Sequence, residues 1–389
     1  MIVIIDGVRT AMGGFQGSLS SCTAPDLGAA VIKASVERSG LTATDIDEVI
    51  FGCVLPAGLK QGPARQAMRQ AGLSDATGAT TINKICGSGM KAVMQAADAI
   101  KAGSAQIVVA GGMESMSNAP YLLEKARSGY RMGHAKTIDH MFQEGLEDAE
   151  TGLSMGVLAQ EMADKKGYSR EQQDAYAINS LNKAVNAIQN GHFKDEIVAV
   201  NIKTRKGELC VDTDEQPLNA KVDKIATLRP AFKKDGTITA ANASSISDGA
   251  SALLVTSEEI ATARGLQPFA KIVAYATHSQ HPSEFTIAPV GAIAKVLEKA
   301  GWNAQEVDLW EVNEAFAMVS MLAIDGFNLD PNKVNISGGA CALGHPLGSS
   351  GSRIIVTLMH ALKRTGAKKG IATLCIGGGE ATAIAIELI

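Results

Sequence analysis

The stretch Asn83-Lys84-Ile85-Cys86-Gly87-Ser88-Gly89 begins the unit that decides the fold of this chain. Apolar residues at helical spacing follow it as far as Ile100, and an apolar strand at residues 107–110 then runs into Gly111-Gly112. The same order of glycine turn, helix, apolar strand and glycine turn recurs between Gly338 and Gly379. The sequence therefore predicts a duplicated α/β domain whose two glycine-rich edges meet at one central cleft.

Strand and helix signals also alternate through most of the remaining chain, which is typical of α/β layers. We predict strands at residues 2–5, 48–54, 269–276, 307–312, 334–336 and 371–375, and helices at residues 26–39, 63–71 and 293–300. With 389 residues, the chain exceeds the ~250–300 residues at which a single core stops growing, so we expect at least two domains.

Three segments follow from these signals. The N-terminal half comprises residues 1–117 and 247–268, and the C-terminal half comprises residues 269–389. Between them, residues 118–246 carry denser charge and fewer strand signals, and Ser169-Arg170-Glu171-Gln172 has the pattern of a capping box. This segment is too long for a bare loop, and insertions over a scaffold often carry substrate contacts. We therefore predict an inserted loop domain at residues 118–246.

Composition and charge narrow the class of protein. The net charge is −4 and the basic residues are scattered, which argues against a nucleic-acid surface. Six separated cysteines without a Cys-x-x-Cys pair make neither a disulfide framework nor a cysteine zinc site. The N-terminus lacks the pattern of a signal peptide, and no apolar stretch reaches the ~18 residues that span a bilayer. We expect a cytoplasmic protein.

Cys86 lies among glycines, which leave its thiol open to the carbonyl of another molecule, and it directly precedes a helix. The N-terminus of a helix favours thiolate over thiol, and the thiolate is the nucleophilic form. The alternative is a buried structural cysteine, the commonest fate of an unpaired one. The Gly-Ser-Gly helix start favours the reactive interpretation, because its backbone N–H groups stay open to a developing negative charge. We expect a thiol that is ionised at neutral pH.

His345 lies between Gly344 and Pro346 after a glycine-rich segment, a setting that favours approach to a cleft over the alternative of a satisfied loop histidine. His278 and His281 suggest a metal site by their spacing. No carboxylate or cysteine is spaced to complete that site, so we expect no metal.

Cys375 ends an apolar strand and opens the turn Gly377-Gly378-Gly379, and by itself it fits a core cysteine equally well. Triple glycine after a strand also occurs in nucleotide sites. The chain has neither a Gly-x-Gly-x-x-Gly pattern nor a Walker sequence, which disfavours a nicotinamide enzyme. Asn313-Glu314 follows another strand and is either a helix cap or the holder of a water that donates to an oxyanion.

Taken together, these segments resemble the thiolases over essentially the whole chain. The matching segments are residues 83–89, Gly111-Gly112-Met113-Glu114-Ser115-Met116-Ser117, Asn242-Ala243-Ser244, Asn313-Glu314-Ala315-Phe316, residues 338–351 and residues 375–379. Residues 111–117 and Ala119-Pro120-Tyr121 are more similar to biosynthetic acetoacetyl-CoA thiolases than to long-chain degradative ones.

The resemblance implies a role for each matching side chain. Cys86 would be the nucleophile that becomes acylated, and His345 would take its proton. Cys375 would remove an α-proton from acetyl-CoA in synthesis or protonate the leaving carbanion in thiolysis. One oxyanion site would combine His345 with a water held by Asn313, and the other would use backbone N–H groups of Cys86 and Gly377.

The resemblance also implies substrate contacts. Ser244 and the run Lys221, Val222 and Asp223 would contact coenzyme A, and Phe285 would line the acyl pocket. Apart from the resemblance, Met155 is either a residue of an apolar pocket or core filling, the commoner fate of methionine. Phe285 takes the place of a methionine found in relatives. Further departures from the thiolase pattern are Ser154 for histidine, Cys341 for isoleucine and Glu380 for glutamine. These departures leave the chemistry intact and bear on acyl-chain preference and affinity.

The implied fold is α/β, with duplicated thiolase-like domains layered α-β-α-β-α. The implied activity is that of an acetyl-CoA C-acetyltransferase, an acyltransferase that reversibly condenses two acetyl-CoA to acetoacetyl-CoA and CoA. We expect no cofactor beyond coenzyme A thioesters, no nucleic-acid or membrane partner, a homotetramer built as a dimer of dimers, and a place in fatty acid metabolism.

Alternatives remain open. One is a 3-ketoacyl-CoA thiolase with a broader or longer chain range, and another is a non-catalytic acyl-CoA binding protein on the same scaffold. A decarboxylating synthase is disfavoured, because Cys375 stands where such enzymes have histidine or asparagine. A redox link between Cys86 and Cys375 is a further hypothesis.

Overall fold

Strands and helices alternate along the computed structural model, which describes residues 1–205 and 207–389. The strands are β1 (Ile2–Thr10), β2 (Gly13–Gly14), β3 (Glu48–Gly52), β4 (Gly78–Ile82), β5 (Ile107–Ser115), β6 (Tyr121–Leu123), β7 (Thr137–Asp139), β8 (Ile197–Val198), β9 (Val200–Thr204), β10 (Gly207–Val211), β11 (Ser247–Ser257), β12 (Ala270–Ser279), β13 (Leu309–Val312), β14 (Lys369–Ile376) and β15 (Glu380–Leu388). The α-helices are α1 (Ala24–Ser39), α2 (Pro63–Gln70), α3 (Ser88–Ala102), α4 (Met155–Lys166), α5 (Arg170–Gln189), α6 (Glu215–Asn219), α7 (Glu258–Arg264), α8 (Ala288–Ala300), α9 (Ala317–Phe327), α10 (Ala340–Leu343) and α11 (Leu347–Thr365). Among the described residues, none of these helices has both the length and the apolar character that a membrane crossing requires.

One mixed sheet of eleven strands runs through both halves of the described chain. Its main path is β13-β14-β15-β12-β1-β11-β5-β3-β4, with β2 added to β11 and β8 added to β1. The halves join where β1 pairs antiparallel with β12, Val3 opposite Lys271 and Ile4 opposite Ala270. The sequence signals did not single out β11, although it is central and pairs with both β1 and β5.

The two halves of this sheet face each other across α3 and α11. Helix α11 contacts α3, β5 and β11 of the N-terminal half, and β13 and β14 of the C-terminal half. Their shared core includes Met90, Val93, Ile355, Leu358 and Ile384. Helices α1 and α2 cover the outer face of the N-terminal half, and α8 and α9 cover that of the C-terminal half. The predicted α-β-α-β-α layering is therefore confirmed.

Glycines bring α11 unusually close to the N-terminal strands. A Cβ on Gly112 of β5 would lie 1.8 Å from the carbonyl oxygen of Gly348, and a Cβ on Gly52 of β3 would lie 2.7 Å from the same atom. Any side chain at these two positions would push the first turn of α11 away from the sheet. The glycines therefore set the position of the residues just before α11, including His345.

Residues 118–246 contain α4, α5, α6 and the small sheets β6-β7 and β9-β10. The predicted capping box of α5 is confirmed. The Ser169 hydroxyl accepts from the Gln172 N–H at 3.2 Å, and the Gln172 side-chain oxygen accepts from the Ser169 N–H at 2.9 Å. The exact domain boundaries at residues 117, 246 and 268 stay a prediction.

The predicted strand at residues 334–336 is wrong. Val334 makes one isolated bridge to Trp310, and Asn335 then turns with φ 46°. The Asn335 side chain takes over the role of a strand partner, since its Oδ1 accepts from Val312 N and its Nδ2 donates to Val312 O, both at 2.8 Å. A side-chain amide thus satisfies the backbone of β13 where the pattern predicted a ladder.

Candidate active site

A cavity of about 350 Å³ brings together Cys86, His345 and Cys375. Cys86 comes from the turn before α3, His345 from the turn before α11, and Cys375 from the end of β14. The apolar residues of its wall include Met116, Leu146, Met155, Phe232, Phe285, Phe316 and Leu347. Three residues far apart in sequence, each beside a glycine turn, therefore face one apolar space.

The turn that carries Cys86 is held by several hydrogen bonds. Ile85 has φ 48°, a conformation that is rare for a β-branched residue. The Asn83 side chain accepts from Ile85 N at 2.8 Å, and the Ser88 hydroxyl donates to Ile85 O at 2.6 Å while it accepts from Lys84 N at 2.8 Å. These bonds fix the strained residue and direct the next side chain, Cys86, to the cavity.

The expectation of an ionised Cys86 is wrong for the free protein. Burial raises the pKa of the Cys86 thiol to about 11, because surrounding atoms keep water from the sulfur. Hydrogen bonds from the backbone N–H groups of Gly377 and of Cys86 itself lower the pKa, and the nearby Glu114 raises it further. These two hydrogen bonds do not outweigh desolvation, so at neutral pH Cys86 is a thiol that needs a base.

His345 is buried and its tautomer follows from its neighbours. Its Nδ1 lies 2.5 Å from the Ser350 hydroxyl, and that hydroxyl donates to the Pro346 carbonyl at 2.9 Å. Because a hydroxyl has one proton, Ser350 accepts from His345 Nδ1–H, which leaves Nε2 unprotonated. Burial, and then the charge of Arg353, lower the pKa of His345 to about 3. The residue is therefore a neutral imidazole whose Nε2 can accept a proton.

The backbone also fixes His345. Its N–H is shared between the Ser247 hydroxyl and the Ser245 carbonyl, each at 3.2 Å. The preceding Gly344 has φ 108°, and a Cβ there would lie 2.2 Å from the Ser247 hydroxyl. Glycine is thus required at position 344 by both conformation and space.

Cys375 is buried at the end of β14, opposite Ala381 of β15. Burial, and then the adjacent Cys86 sulfur, raise the pKa of the Cys375 thiol well above its usual value. The turn that follows contains Gly378 and Gly379, both with φ near 85°. The two sulfurs are close enough to interact electrostatically, and both are protonated at neutral pH.

Asn313 follows β13 and is buried, with its Nδ2 3.5 Å from His345 Nε2. Its Oδ1 has no hydrogen-bond partner among the described residues. The alternative of a helix cap does not apply, because α9 begins at Ala317 and Phe316 occupies the N-cap position. Asn313 therefore has a free polar atom and an amide near the base.

Glu314 is instead a buried anchor. Its carboxylate accepts from the Tyr176 hydroxyl at 3.2 Å, the Ser180 hydroxyl at 2.7 Å, the Asn335 amide at 2.8 Å and Cys341 N at 3.1 Å. These donors come from α5, from the turn at Asn335 and from α10. Glu314 thereby holds its neighbour Asn313 in place.

Four of the six predicted substrate contacts fall in two adjoining cavities. Ser244, Met155 and Phe285 line the cavity of Cys86. Lys221 lines a second cavity of about 470 Å³, which shares Ala240 and Ser245 with the first. Val222 and Asp223 are exposed and line neither cavity.

Sequence reasoning missed three residues of the site. Lys224 lines the second cavity, one helical turn beyond Lys221, and that spacing was the available signal. Ser350 orients His345, and its five-residue distance from that histidine gave no signal. Glu114, noted only as part of a motif, accepts from Val54 N, Leu55 N and Gly348 N at 2.8–3.1 Å. Burial raises the pKa of Glu114 to about 7.

The histidine pair that suggested a metal has other partners. His278 Nε2 lies 3.0 Å from the Gln280 side-chain oxygen, and His281 Nδ1 lies 2.9 Å from the Ser283 hydroxyl. Within residues 1–205 and 207–389, no three His, Cys, Asp or Glu residues are grouped to hold a metal ion.

Known proteins match this chain along its whole length. The thiolase N-terminal domain matches residues 2–259, and the thiolase C-terminal domain matches residues 266–388. Acetyl-CoA acetyltransferase from Pseudomonas aeruginosa is 50% identical over 387 residues, which cover 99% of this chain and 98% of that protein. The protein of the same name from Escherichia coli K12 is also 50% identical with the same coverage.

Solved structures agree with these relatives. The acetyl-CoA acetyltransferase of Bacillus anthracis superposes with a TM-score of 0.97 at 41% identity, covering 100% of this chain and 98% of that one. The Acat5 thiolase from Ascaris suum in complex with coenzyme A superposes with a TM-score of 0.94 at 41% identity, covering both chains fully. From the matching domains, the relatives and the shared geometry, this chain belongs to the thiolase family.

Proposed function

We propose that the chain is an acetyl-CoA C-acetyltransferase, which interconverts two acetyl-CoA with acetoacetyl-CoA and CoA through an acyl-cysteine. The observation that carries this proposal is the meeting of Cys86, His345 and Cys375 at one apolar cavity. Relatives of about 50% identity over nearly the full chain carry the same name, which supports it.

In the first step, Cys86 Sγ attacks the thioester carbonyl while His345 Nε2 takes its proton. The pKa of the thiol is about 11 and that of the imidazole about 3. Transfer of the proton before attack is therefore unfavourable, and proton transfer accompanies formation of the carbon–sulfur bond. The bond from the carbonyl carbon to the CoA sulfur then breaks, and CoA leaves with the proton that His345 returns.

Backbone donors stabilise the oxyanion of this step. The N–H groups of Cys86 and Gly377 already face the Cys86 sulfur in the free protein, where they lower its pKa. A donor fixed at a developing oxyanion contributes about 3–4 kcal/mol. The glycine turns supply these donors without side chains that would obstruct the thioester.

In the second step, His345 Nε2 takes the proton of the Cys375 thiol, and the Cys375 thiolate removes an α-proton from acetyl-CoA. The carbanion attacks the acyl carbon on Cys86, the bond from that carbon to Cys86 Sγ breaks, and His345 returns its proton to the Cys86 thiolate. The enolate oxygen is stabilised near His345 and Asn313, and the free Oδ1 of Asn313 accepts from a water that donates to this oxygen. Acyl and enolate partners held at attack distance contribute several kcal/mol more. The reverse sequence gives thiolysis.

Coenzyme A occupies the two adjoining cavities. Its apolar arm fits the cavity of about 350 Å³, with Ser244 on the wall, and its phosphates lie near the cations Lys221 and Lys224 of the cavity of about 470 Å³. The reaction needs no cofactor besides the thioester substrates, since the nucleophile, base and oxyanion donors all belong to the chain.

A homotetramer in the cytoplasm, acting in fatty acid metabolism, completes the proposal. Among the described strands, β4 pairs with β3 on one side and with none on the other, and it carries no charged residue. The β6–β7 segment exposes Tyr121, Leu123, Tyr130 and Met132. Both surfaces suit contact with further copies of the chain, and light scattering that gives the mass of one or two chains would refute the tetramer.

The central test is a CoA-dependent loss of acetoacetyl-CoA absorbance, present in the wild type and absent in Cys86→Ala. No activity of the wild type on any 3-ketoacyl-CoA would refute the proposal and would favour a non-catalytic acyl-CoA binding protein.

A longer chain range is the second enzymatic candidate. Phe285 and Phe232 each stack edge-on against Phe316, with centroids 6.3 and 6.2 Å apart, and these rings narrow the acyl pocket and favour short chains.

A further inference from the structure

Lys84 and Glu380 form an ion pair between the two turns that carry the cysteines. Lys84 precedes Cys86 by two residues, and Glu380 directly follows the triple-glycine turn after Cys375. Lys84 Nζ lies 2.6 Å from Glu380 Oε2, and the two side chains are 20% and 31% exposed. The pair is therefore short and shielded on most sides from solvent.

Each end of the pair is anchored to a rigid element. The second oxygen of Glu380 accepts from the Ser279 hydroxyl of β12 at 2.9 Å, and its backbone pairs with Ile376 of β14 and with Ser279. Lys84 N donates to the Ser88 hydroxyl at the start of α3 at 2.8 Å. Movement of one turn relative to the other would therefore break the ion pair.

Among the described residues, no strand pairing links the Cys86 turn directly to the Cys375 turn. β4, which leads to the Cys86 turn, ends the sheet on one side, whereas β14 and β15 lie near its other end. Apolar contacts do link the turns, since a Cβ on Gly87 would lie 2.3 Å from Ile376 Cδ1. Apolar contacts keep the two turns from moving closer together. They resist separation of the turns by a bulky substrate less than a directed ion pair does.

The Glu380 carboxyl carries the negative charge that the ion pair with Lys84 requires. Burial alone would raise the pKa of Glu380, but the hydrogen bonds from Lys84 and Ser279 outweigh burial and lower it. Glu380 is therefore ionised at neutral pH. Glutamine at this position would keep the size of the side chain and remove the charge.

We propose that the Lys84–Glu380 ion pair is a strap that fixes the spacing of the two cysteine turns, and that both residues are positioning residues for the thiolase reaction. The inference rests on the proposed function, because the oxyanion site takes one N–H group from each turn, at Cys86 and Gly377. Loss of the strap widens that site without removing any reacting group.

The test compares Glu380→Gln, Lys84→Met, the double variant and Lys84→Arg in the full-length protein. Glu387→Gln is the matched control, because Lys271 and Glu387 form a 2.9 Å pair, 30% and 26% exposed, at the far end of β12 and β15. Displacement of reacting groups by about 1 Å costs ~100-fold in rate, so a partial displacement predicts about tenfold lower kcat in each single variant. KM should change less than about threefold, since neither Lys84 nor Glu380 lines the substrate cavities.

The strap predicts three further results for these variants. The double variant should lose no more than either single variant, because one interaction is removed once. Lys84→Arg should recover most of the activity, and the melting temperatures of Glu380→Gln and Glu387→Gln should agree. Three results would each overturn the strap. The first is a Glu380→Gln activity equal to that of Glu387→Gln, and the second is a loss in the double variant equal to the product of the two single losses. The third is a Lys84→Arg variant that recovers no activity. An inactive wild type would refute the proposed function and the strap together, whereas an active wild type with an unaffected Glu380→Gln refutes the strap alone.

Discussion

Ser350 offers the sharpest test of how the base is prepared, because it touches no substrate in the proposed mechanism. Its hydroxyl accepts from His345 Nδ1–H at 2.5 Å and donates to the Pro346 carbonyl at 2.9 Å. The change Ser350→Ala removes the acceptor and leaves a buried N–H without a partner. The imidazole then gains freedom to rotate and to move its proton to Nε2, where it cannot act as a base.

The magnitude follows from the bond that is lost. A buried donor left unsatisfied costs about 1–3 kcal/mol. If that cost falls on the transition state, in which His345 gains a positive charge, kcat falls by about 5- to 160-fold. KM should change little, because Ser350 does not line the cavity of Cys86.

The assay is acetoacetyl-CoA thiolysis at saturating CoA, followed by loss of absorbance. Ser352→Ala is the matched control: Ser352 is a buried serine of the same helix, and its hydroxyl bonds to Ser251 at 2.7 Å rather than to the histidine. If the kcat of Ser350→Ala lies within about twofold of the kcat of Ser352→Ala, the assignment of the His345 tautomer is refuted.

Three further predictions follow from the site. The alkylation rate of Cys86 by iodoacetamide, measured on its peptide, should keep rising from pH 7 to pH 10, because the pKa of the free thiol is about 11; a plateau reached by pH 7 would contradict this. The pKa of His345 is lowered from 6.5 to about 3 by folding. Between pH 6.5 and pH 3 the unfolded chain therefore binds more protons than the folded chain, and the free energy of unfolding decreases as the pH falls through that range. Urea unfolding should therefore show a smaller loss of stability from pH 7.5 to pH 5 in His345→Asn than in the wild type, and equal losses would count against the buried neutral imidazole. Phe285→Ala should raise kcat/KM for six-carbon relative to four-carbon 3-ketoacyl-CoA by at least tenfold, because it removes a ring from the acyl pocket; an unchanged ratio would show that Phe285 does not limit chain length.

The glycine-bounded units were predictable because their signals are local. Helix α3 and strand β5 in one half, and α11 and β14 in the other, lie where the apolar spacing predicted them. The resemblance to thiolases is confirmed by the matching domains and relatives. The duplicated unit also predicted that the edge with Cys86 meets the edge with His345 and Cys375 at one cleft, whereas the role of each residue was implied only by that resemblance.

Other features depend on distant partners and could not be derived from the sequence. Whether Cys86 is ionised depends on desolvation by the assembled cavity, which outweighs the hydrogen bonds from the backbone N–H groups of Gly377 and Cys86. Asn335 replaced a predicted strand because its side chain meets Val312, 23 residues away. The Lys84–Glu380 pair joins residues separated by 296 positions, so only the folded chain reveals it.

The account depends most on a covalent acyl group carried by Cys86. Cys375→Ala should accept an acetyl group from acetyl-CoA but fail to deprotonate the second substrate, so the acyl-enzyme should accumulate. Intact-protein and peptide mass spectrometry after mixing with acetyl-CoA should then show one acetyl group per chain, on Cys86. An unlabelled protein, or a label on any other residue, would contradict the account.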